Sequence, residues 1–339
     1  MKLDVAPSLF APLKTIRLHD LCRGSPEEKE KLYAAATEDG IFYLDFSEDQ
    51  NEFDLANLTE DIYSLSRSLF NLDLEEKLRY DVDKIGELKL NGYKPIRRNI
   101  GGIKGERDGF ESYAIPRNGI LASNPFPHPP VLDTNMPLLR HFTITCLEIA
   151  QYIFGSLSDS LDLPDLHSFD TFHRPDAPAP DILRLLKYAP SSEGDSEFRV
   201  PQTPHTDLGS LTMLFADSPG LQIKPDGCDD WLYIMPKQNH AVVNLGDAMS
   251  LWTGGLFRSV LHRVASLPGK GMNERYSFAF LMRPENQAPM VPLLGSSGLP
   301  VAGEEGVLTS ENWIKAKFGI LRGETANDRI LTGRRDANI

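Results

Sequence analysis

Pro204-His205-Thr206-Asp207 sets an imidazole and a carboxylate two residues apart, and His262 follows much later in Leu261-His262-Arg263-Val264. On an extended strand, residues two apart point to the same side. His205 and Asp207 are therefore expected to share a face. His262, on a later strand, can complete three ligands on one side of a metal ion. Imidazole and carboxylate suit Fe(II), and three protein ligands leave positions for a chelating ligand and O2. Arg275-Tyr276-Ser277 repeats the two-residue spacing. Its guanidinium and hydroxyl make a fork of donors suited to a carboxylate.

A lone His-x-Asp is a weak signal, because surface pairs and local hydrogen bonds show the same spacing. The neighbourhood strengthens it. The pair precedes the apolar run Leu211-Thr212-Met213-Leu214-Phe215, and Val260, Leu261 and Val264 flank His262. Arg275-x-Ser277 leads into Phe278-Ala279-Phe280-Leu281. A buried Arg needs an anion. A structural Asp or Glu is the plain alternative to a ligand carboxylate.

These residues need strands to carry them. From residue 181 onward, short apolar runs recur between turn residues, at 182–188, 210–215, 220–224, 231–235, 240–245, 259–266 and 275–283. That texture predicts a sandwich or barrel. The first half reads differently. A strand is expected at 13–19, and Ser25-Pro26-Glu27-Glu28 opens a helix that Gly40 ends. Ile41-Phe42-Tyr43-Leu44 reads as a buried strand, and residues 54–70 carry apolar side chains at helical spacing. Asp73-Leu74-Glu75-Glu76-Lys77 starts another helix, and Gly-rich 86–109 reads as a loop or edge hairpin. Pro125 to Pro137 reads as a proline-rich connector before one long helix at 136–159. A closing helix, capped by Thr309 or Ser310, follows near Trp313.

The 339 residues suffice for one large domain or two smaller ones, with 41% apolar and 24% charged residues, as in ordinary globular chains. A net charge of −13 argues against nucleic-acid or anionic-membrane partners. Cys22, Cys146 and Cys228 form no Cys-x-x-Cys pair, which disfavours structural zinc and fits a reducing compartment. The start of the chain has no apolar signal segment, and no run approaches the roughly 18 apolar residues of a membrane span. A cytoplasmic location is expected. The glycines at 101, 102 and 105 match no phosphate-binding fingerprint, and His19, His128, His141, His167, His173 and His240 belong to no comparable cluster.

Taken together, the chain resembles the isopenicillin N synthase-like branch of the 2-oxoglutarate/Fe(II)-dependent dioxygenases over nearly its whole length. In the first half the likeness rests on Glu38-Asp39-Gly40-Ile41-Phe42-Tyr43-Leu44, Leu74-Glu75-Glu76-Lys77, Gly92-Tyr93-Lys94-Pro95 and Asp108-Gly109-Phe110-Glu111-Ser112-Tyr113. In the second it rests on Leu183-Arg184-Leu185-Leu186-Lys187-Tyr188, His205-Thr206-Asp207, Gly220-Leu221-Gln222-Ile223, Asn244-Leu245-Gly246-Asp247, His262-Arg263-Val264 and Arg275-Tyr276-Ser277-Phe278. The resemblance implies a mainly β chain with helices, a double-stranded β-helix (jelly-roll) core and a helical N-terminal region. It divides the chain into an N-terminal non-haem dioxygenase region, 1–135, and a catalytic part, 136–339, with its Fe(II)/2-oxoglutarate core at about 180–285.

The same resemblance implies roles. His205, Asp207 and His262 hold Fe(II). Arg275 and Ser277 grip the distal carboxylate of the cosubstrate 2-oxoglutarate, and Tyr188 matches a tyrosine that hydrogen-bonds it; an ordinary strand tyrosine is the alternative. O2 and 2-oxoglutarate then give succinate, CO2 and an oxidant that removes hydrogen from an unactivated C–H, leading to hydroxylation, desaturation or cyclisation of a small molecule. Strand parity offers Arg184, Leu186, Leu281 and Arg283 as substrate-facing residues, with a rim salt bridge as the plain alternative for Arg184. The loop at 97–110 is a candidate lid.

Two positions depart from the family pattern. Leu186 stands where many plant members have Asn, and Gly254-Gly255 stands where Asn-Gly is usual. Asn312-Trp313-Ile314-Lys315 and Phe280-Leu281-Met282-Arg283-Pro284-Glu285 resemble fungal members of secondary metabolism. A monomer is expected. The rivals are an O2-dependent oxidase of the same fold that does not use 2-oxoglutarate, a non-catalytic binding protein, and a zinc hydrolase, for which no general base is at hand.

Overall fold

The computed structural model describes residues 7–48, 52–85, 87–98, 107–122, 125–192, 201–294 and 306–321. Among these residues, twelve strands form two sheets. In chain order, β1 (Thr15–Arg17), β2 (Ile41–Asp45), β3 (Gly92–Lys94), β4 (Phe110–Pro116) and β5 (Ile182–Tyr188) belong to the larger sheet. β6 (Gln202–His205) opens the smaller sheet, and β7 (Leu211–Ala216) returns to the larger one. β8 (Leu221–Lys224) and β9 (Leu232–Tyr233) lie in the smaller sheet, β10 (His240–Leu245) in the larger. β11 (Leu261–Val264) is again in the smaller sheet and β12 (Arg275–Met282) in the larger. The orders are β1-β2-β10-β7-β12-β5-β4-β3 and β6-β11-β8-β9. All neighbours run antiparallel except β1 and β2. This is the double-stranded β-helix expected from the second half of the chain. The first four strands of the larger sheet come from before residue 136.

Side-chain alternation gives the larger sheet two unlike faces. One packs against the helices Leu55–Phe70 and Pro130–Asp159, with Phe142, Phe215, Phe278 and Phe280 in the main core. The other faces the smaller sheet. There Ile41, Tyr43 and Val242 meet Leu221, Ile223, Ile234 and Val260, while Phe110, Leu186 and Tyr188 meet Val264 and Met272. Apolar filling at both places holds the sheets apart at a fixed spacing around the site.

Several boundaries move from the sequence expectation. The helix expected at 136–159 starts at Pro130, so most of the expected connector is helical. Pro130 fits the first helical turn, where no backbone donor is needed. Pro137 does remove one donor, yet fully buried Leu132 and Leu139 sit two turns apart on the same stripe. Packing of that stripe outweighs the local breaker. The strand expected at 13–19 shrinks to β1 because Leu18–Cys22 is helical. β4, unforeseen as a strand, pairs with β3 in an edge hairpin and with β5 along its length. Gly101, Gly102 and Gly105 of the expected lid lie outside the described residues.

Other expectations hold in detail. The Ser25 hydroxyl accepts from the Glu28 amide at 3.4 Å, and Gly40 ends its helix at φ 68°. A Cβ on Gly40 would lie 2.4 Å from the Arg258 carbonyl oxygen, so no other residue fits there without displacing backbone. Thr309 caps the closing helix Ser310–Leu321, accepting from the Asn312 amide at 3.2 Å. Ser310 instead donates to the Pro284 carbonyl at 3.0 Å and ties that helix to the end of β12. Among the described residues, no helix is long and apolar enough to cross a membrane.

Candidate active site

His205 ends β6 and pairs directly with His262 on β11, which sets the two rings 4.3 Å apart, centre to centre. Asp207 lies beyond the end of β6, so the turn after the strand, rather than strand parity, brings it to the histidines. Its Oδ1 is 3.9 Å from His205 Nε2 and 3.8 Å from His262 Nε2. Each of the three residues offers a ligand atom, and these atoms all lie within 4.8 Å of one another.

Neighbouring groups orient each ligand. His205 Nδ1 donates to the Thr203 carbonyl at 2.8 Å, and His262 Nδ1 to the Val260 carbonyl at 3.1 Å. Protons held at Nδ1 leave both Nε2 lone pairs for a metal. Asp207 Oδ2 accepts from Thr212 Oγ1 at 2.7 Å and from Asn244 Nδ2 at 2.9 Å, which leaves Oδ1 for the metal. Burial pushes the Asp207 carboxyl up, but the imidazoles of His262 and His205 and these two hydrogen bonds hold it at about 2. Burial, reinforced by His262, pushes His205 down to about 4. Near neutral pH, Asp207 is thus charged and His205 neutral, the states a divalent cation needs.

The predicted fork forms on the larger sheet. Arg275 and Ser277 are each 1% exposed. Arg275 donates from Nη1 to Ser277 Oγ at 3.1 Å and from Nε to the Ser218 carbonyl at 3.0 Å. Among the described residues no carboxylate reaches this buried guanidinium. A charge in that setting calls for an anion from outside the chain. Tyr188 faces Arg275 across the strand pair, its ring centre 4.8 Å from the guanidinium carbon. The Tyr188 hydroxyl donates to Gln202 Oε1 at 2.7 Å, and Gln202 Nε2 lies 3.3 Å from His205 Nε2. Gln202 therefore spans the gap between the fork and the histidines.

The expected substrate-facing residues divide. Leu186 stands opposite Ser277 and is buried with Phe110, Tyr188, Val264 and Met272. Leu281, opposite Ile182, is half-buried on the same face. Arg283 follows β12 directly; its amide donates to Asp181 Oδ1 at 2.7 Å and its guanidinium to the Pro180 carbonyl. Arg184 is half-buried and, among the described residues, its guanidinium makes no hydrogen bond or ion pair, so the rim salt bridge does not form. Nearby, Lys94 pairs with Asp108 at 2.6 Å over the Phe110 ring, and burial pushes the Lys94 amine down to about 8.

Gln202, Thr212 and Asn244 escaped the sequence reading. Thr212 and Asn244 did leave a trace, as single polar residues inside otherwise apolar strands. Gln202 left none.

Residues 180–284 match the 2OG-Fe(II) oxygenase superfamily. The chain is 30% identical over 276 residues to a 2-oxoglutarate-dependent dioxygenase of Gibberella zeae, covering 80% of each protein. It is 29% identical over 324 residues to the 2-oxoglutarate-dependent dioxygenase frbH of Dothideomycetidae sp., covering 95% of each. Its fold is similar to the crystal structure of a full-length Neurospora crassa protein in complex with alpha-KG, at a TM-score of 0.74 and 23% identity, covering 93% of this chain and 98% of that one.

Proposed function

The chain belongs to the 2OG-Fe(II) oxygenase superfamily, and on that footing we propose how its residues share the reaction. It is an Fe(II)- and 2-oxoglutarate-dependent dioxygenase that oxidises a small organic molecule. In our reading His205, Asp207 and His262 hold the iron. Arg275 and Ser277 bind the distal carboxylate of 2-oxoglutarate, with Tyr188 beside it. The observation that carries this reading is the matched pair of unmet demands. Three ligand atoms converge within 4.8 Å on one side, and on the other waits a buried guanidinium that no carboxylate reaches among the described residues.

When bound, iron and 2-oxoglutarate supply the O2-activating chemistry, and succinate and CO2 leave. The chain supplies the rest. The Thr203 and Val260 carbonyls keep the histidine donors aimed inward. Thr212 and Asn244 stop Asp207 from rotating its free oxygen away. Gln202 can pass from His205 to a newly arrived ligand while keeping Tyr188 in place. The apolar wall of Phe110, Leu186, Val264 and Met272 keeps water from the fork.

The 136–339 part carries the chemistry in this reading, and the outcome is hydroxylation, desaturation or cyclisation. A place in fungal secondary metabolism is supported by the likeness to dioxygenases of Gibberella zeae and Dothideomycetidae. The acidic net charge of −13 favours a small molecule over nucleic acid or membrane as partner. We take the enzyme to act as a monomer in the cytoplasm.

Anaerobic Fe(II) titration of the wild type and of His262→Ala tests the ligand assignment. The variant should bind Fe(II) at least about tenfold more weakly, and equal affinity would remove the proposed site. Succinate formed on admitting O2 tests the cosubstrate. Oxidised product without succinate would return the same-fold oxidase to favour.

A further inference from the structure

Arg184 and Arg283 approach the iron-binding trio from the larger sheet, and among the described residues neither guanidinium meets a carboxylate. Arg184 is close enough to Asp207 and Arg283 to feel both charges, and burial lowers its pKa. Arg283 lies against the turn that follows Asp207, since a Cβ on Gly209 would stand 3.2 Å from its Cγ. Its Nε is buried without a hydrogen-bond partner among the described residues.

The nearby acids are already engaged. Asp181 accepts from Arg117 Nη1 at 3.0 Å and from the Arg283 amide at 2.7 Å. Asp108 pairs with Lys94 at 2.6 Å. Asp207 faces the two histidines. A divalent cation at the trio and a dianion at the Arg275 fork would leave both arginines still unanswered. Charge of one sign, half-buried at Arg184 and buried at Arg283, is costly without a counter-ion, so one is expected to arrive with a ligand.

The sheet leaves room for that ligand. Arg184 stands opposite Ala279 on one side and Ala114 on the other, with Gly92 beyond Ala114. Its immediate neighbours in the row are thus small, and the next large side chain, Leu214, comes only beyond Ala279. Four residues of strand separate this row from that of Tyr188 and Arg275, about 13 Å at about 3.3 Å per residue. The two arginine positions are therefore separate places in the cavity.

We propose that the substrate is an organic acid and that Arg184, with Arg283 behind it, binds its carboxylate. This rests on the functional reading above, because the trio and the fork define where the substrate lies. The carboxylate fixes the distance of the oxidised carbon from the charged end of the substrate. Arg184 thereby selects both the molecule and the position attacked. Neutral analogues would leave the guanidinium dry and unpaired, a penalty that discriminates more sharply than a change in apolar contact.

The test uses anaerobic holoenzyme loaded with Fe(II) and saturating 2-oxoglutarate, which binds but does not turn over. Calorimetry compares benzoate, phenylacetate, cinnamate and octanoate with their primary amides. At least one acid should bind the wild type about tenfold or more tighter than its amide. Arg184→Gln should erase that preference and Arg184→Lys should keep part of it, while both bind 2-oxoglutarate within about twofold of wild type. If no acid binds better than its amide, the proposal falls. It falls equally if Arg184→Gln weakens 2-oxoglutarate about tenfold and leaves the acid-to-amide ratio unchanged, since Arg184 would then serve the cosubstrate. Wild type that takes up Fe(II) but no 2-oxoglutarate would overturn the functional reading itself, and this proposal with it.

Discussion

The two faces of β12 behave as different materials. Tyr276, Phe278, Phe280 and Met282 point to the helices, where Phe278 meets the rings of Phe215 at 4.8 Å, Tyr63 at 5.0 Å and Phe142 at 5.6 Å. Arg275, Ser277, Ala279 and Leu281 point to the cavity, where polar groups outnumber their protein partners. The first face is complete when the chain folds. The second is complete only when ligands enter. One strand thus supplies stability on one side and gives some of it up on the other, as ligand sites commonly do.

The largest effect should come from the closed face. Phe278→Ala removes a fully buried ring from an aromatic cluster and should cost about 3–5 kcal/mol of folding stability. Denaturant titration measures it, and the folded fraction should still bind 2-oxoglutarate. Arg275→Met asks the opposite question a little earlier on the same strand. Affinity for 2-oxoglutarate should fall by about 2–5 kcal/mol, while the unfolding midpoint stays level or rises because an unpaired buried charge is gone. If Arg275→Met destabilises the fold as much as Phe278→Ala does, the division between the faces is wrong.

The same division explains what could be read from sequence. The closed face follows from alternation along β12 and from helical spacing over 55–70, both local patterns that need no knowledge of partners. His205, His262, Arg275 and Ser277 were legible because their chemistry is rare in apolar strands. Asp207 does lie beside the histidines, but not through the parity invoked for it, since it falls beyond the end of the strand. The groups that orient it were missed because the contact is distant in sequence: Asn244 is 37 residues away and reaches it through the order of strands. Strand order is set by long-range packing, which also extended the long helix back through Pro137. Arg184 was legible as an inward side chain, but the lack of a partner for its guanidinium among the described residues was not.

A buried histidine on the closed side sharpens the contrast. His173 is 2% exposed and stacks on Phe154, with Nδ1 bonded to the Phe169 carbonyl at 2.6 Å and Nε2 to Ser210 Oγ at 2.8 Å. Burial pushes its pKa down to about 4. The folded state therefore holds it neutral while the unfolded chain takes a proton from about 6.5 downward. Its contribution to stability is whole above pH 6.5, declines as pH falls from 6.5 to 4, and changes no further below that. The full loss is about 3 kcal/mol. NMR titration of the His173 ring checks it, and a midpoint near 6.5 would show that this side is less closed than it looks.

The smallest effect should fall between the two regimes. Asn244 sits on β10 of the larger sheet, but its side chain faces the cavity and donates to Asp207 Oδ2 at 2.9 Å. Asn244→Ala leaves Thr212 as the remaining donor to that oxygen, so the carboxylate keeps one restraint of two. Fe(II) affinity should drop about 10- to 100-fold, the usual result of removing a group that orients a ligand. Folding stability should change far less than in Phe278→Ala, because the lost bond ends on a charged group that water can reach once the amide is removed. Fe(II) titration beside denaturant titration separates the two quantities. A variant with normal iron affinity and a large stability loss would move Asn244 to the closed side of the molecule and leave Thr212 alone to orient Asp207.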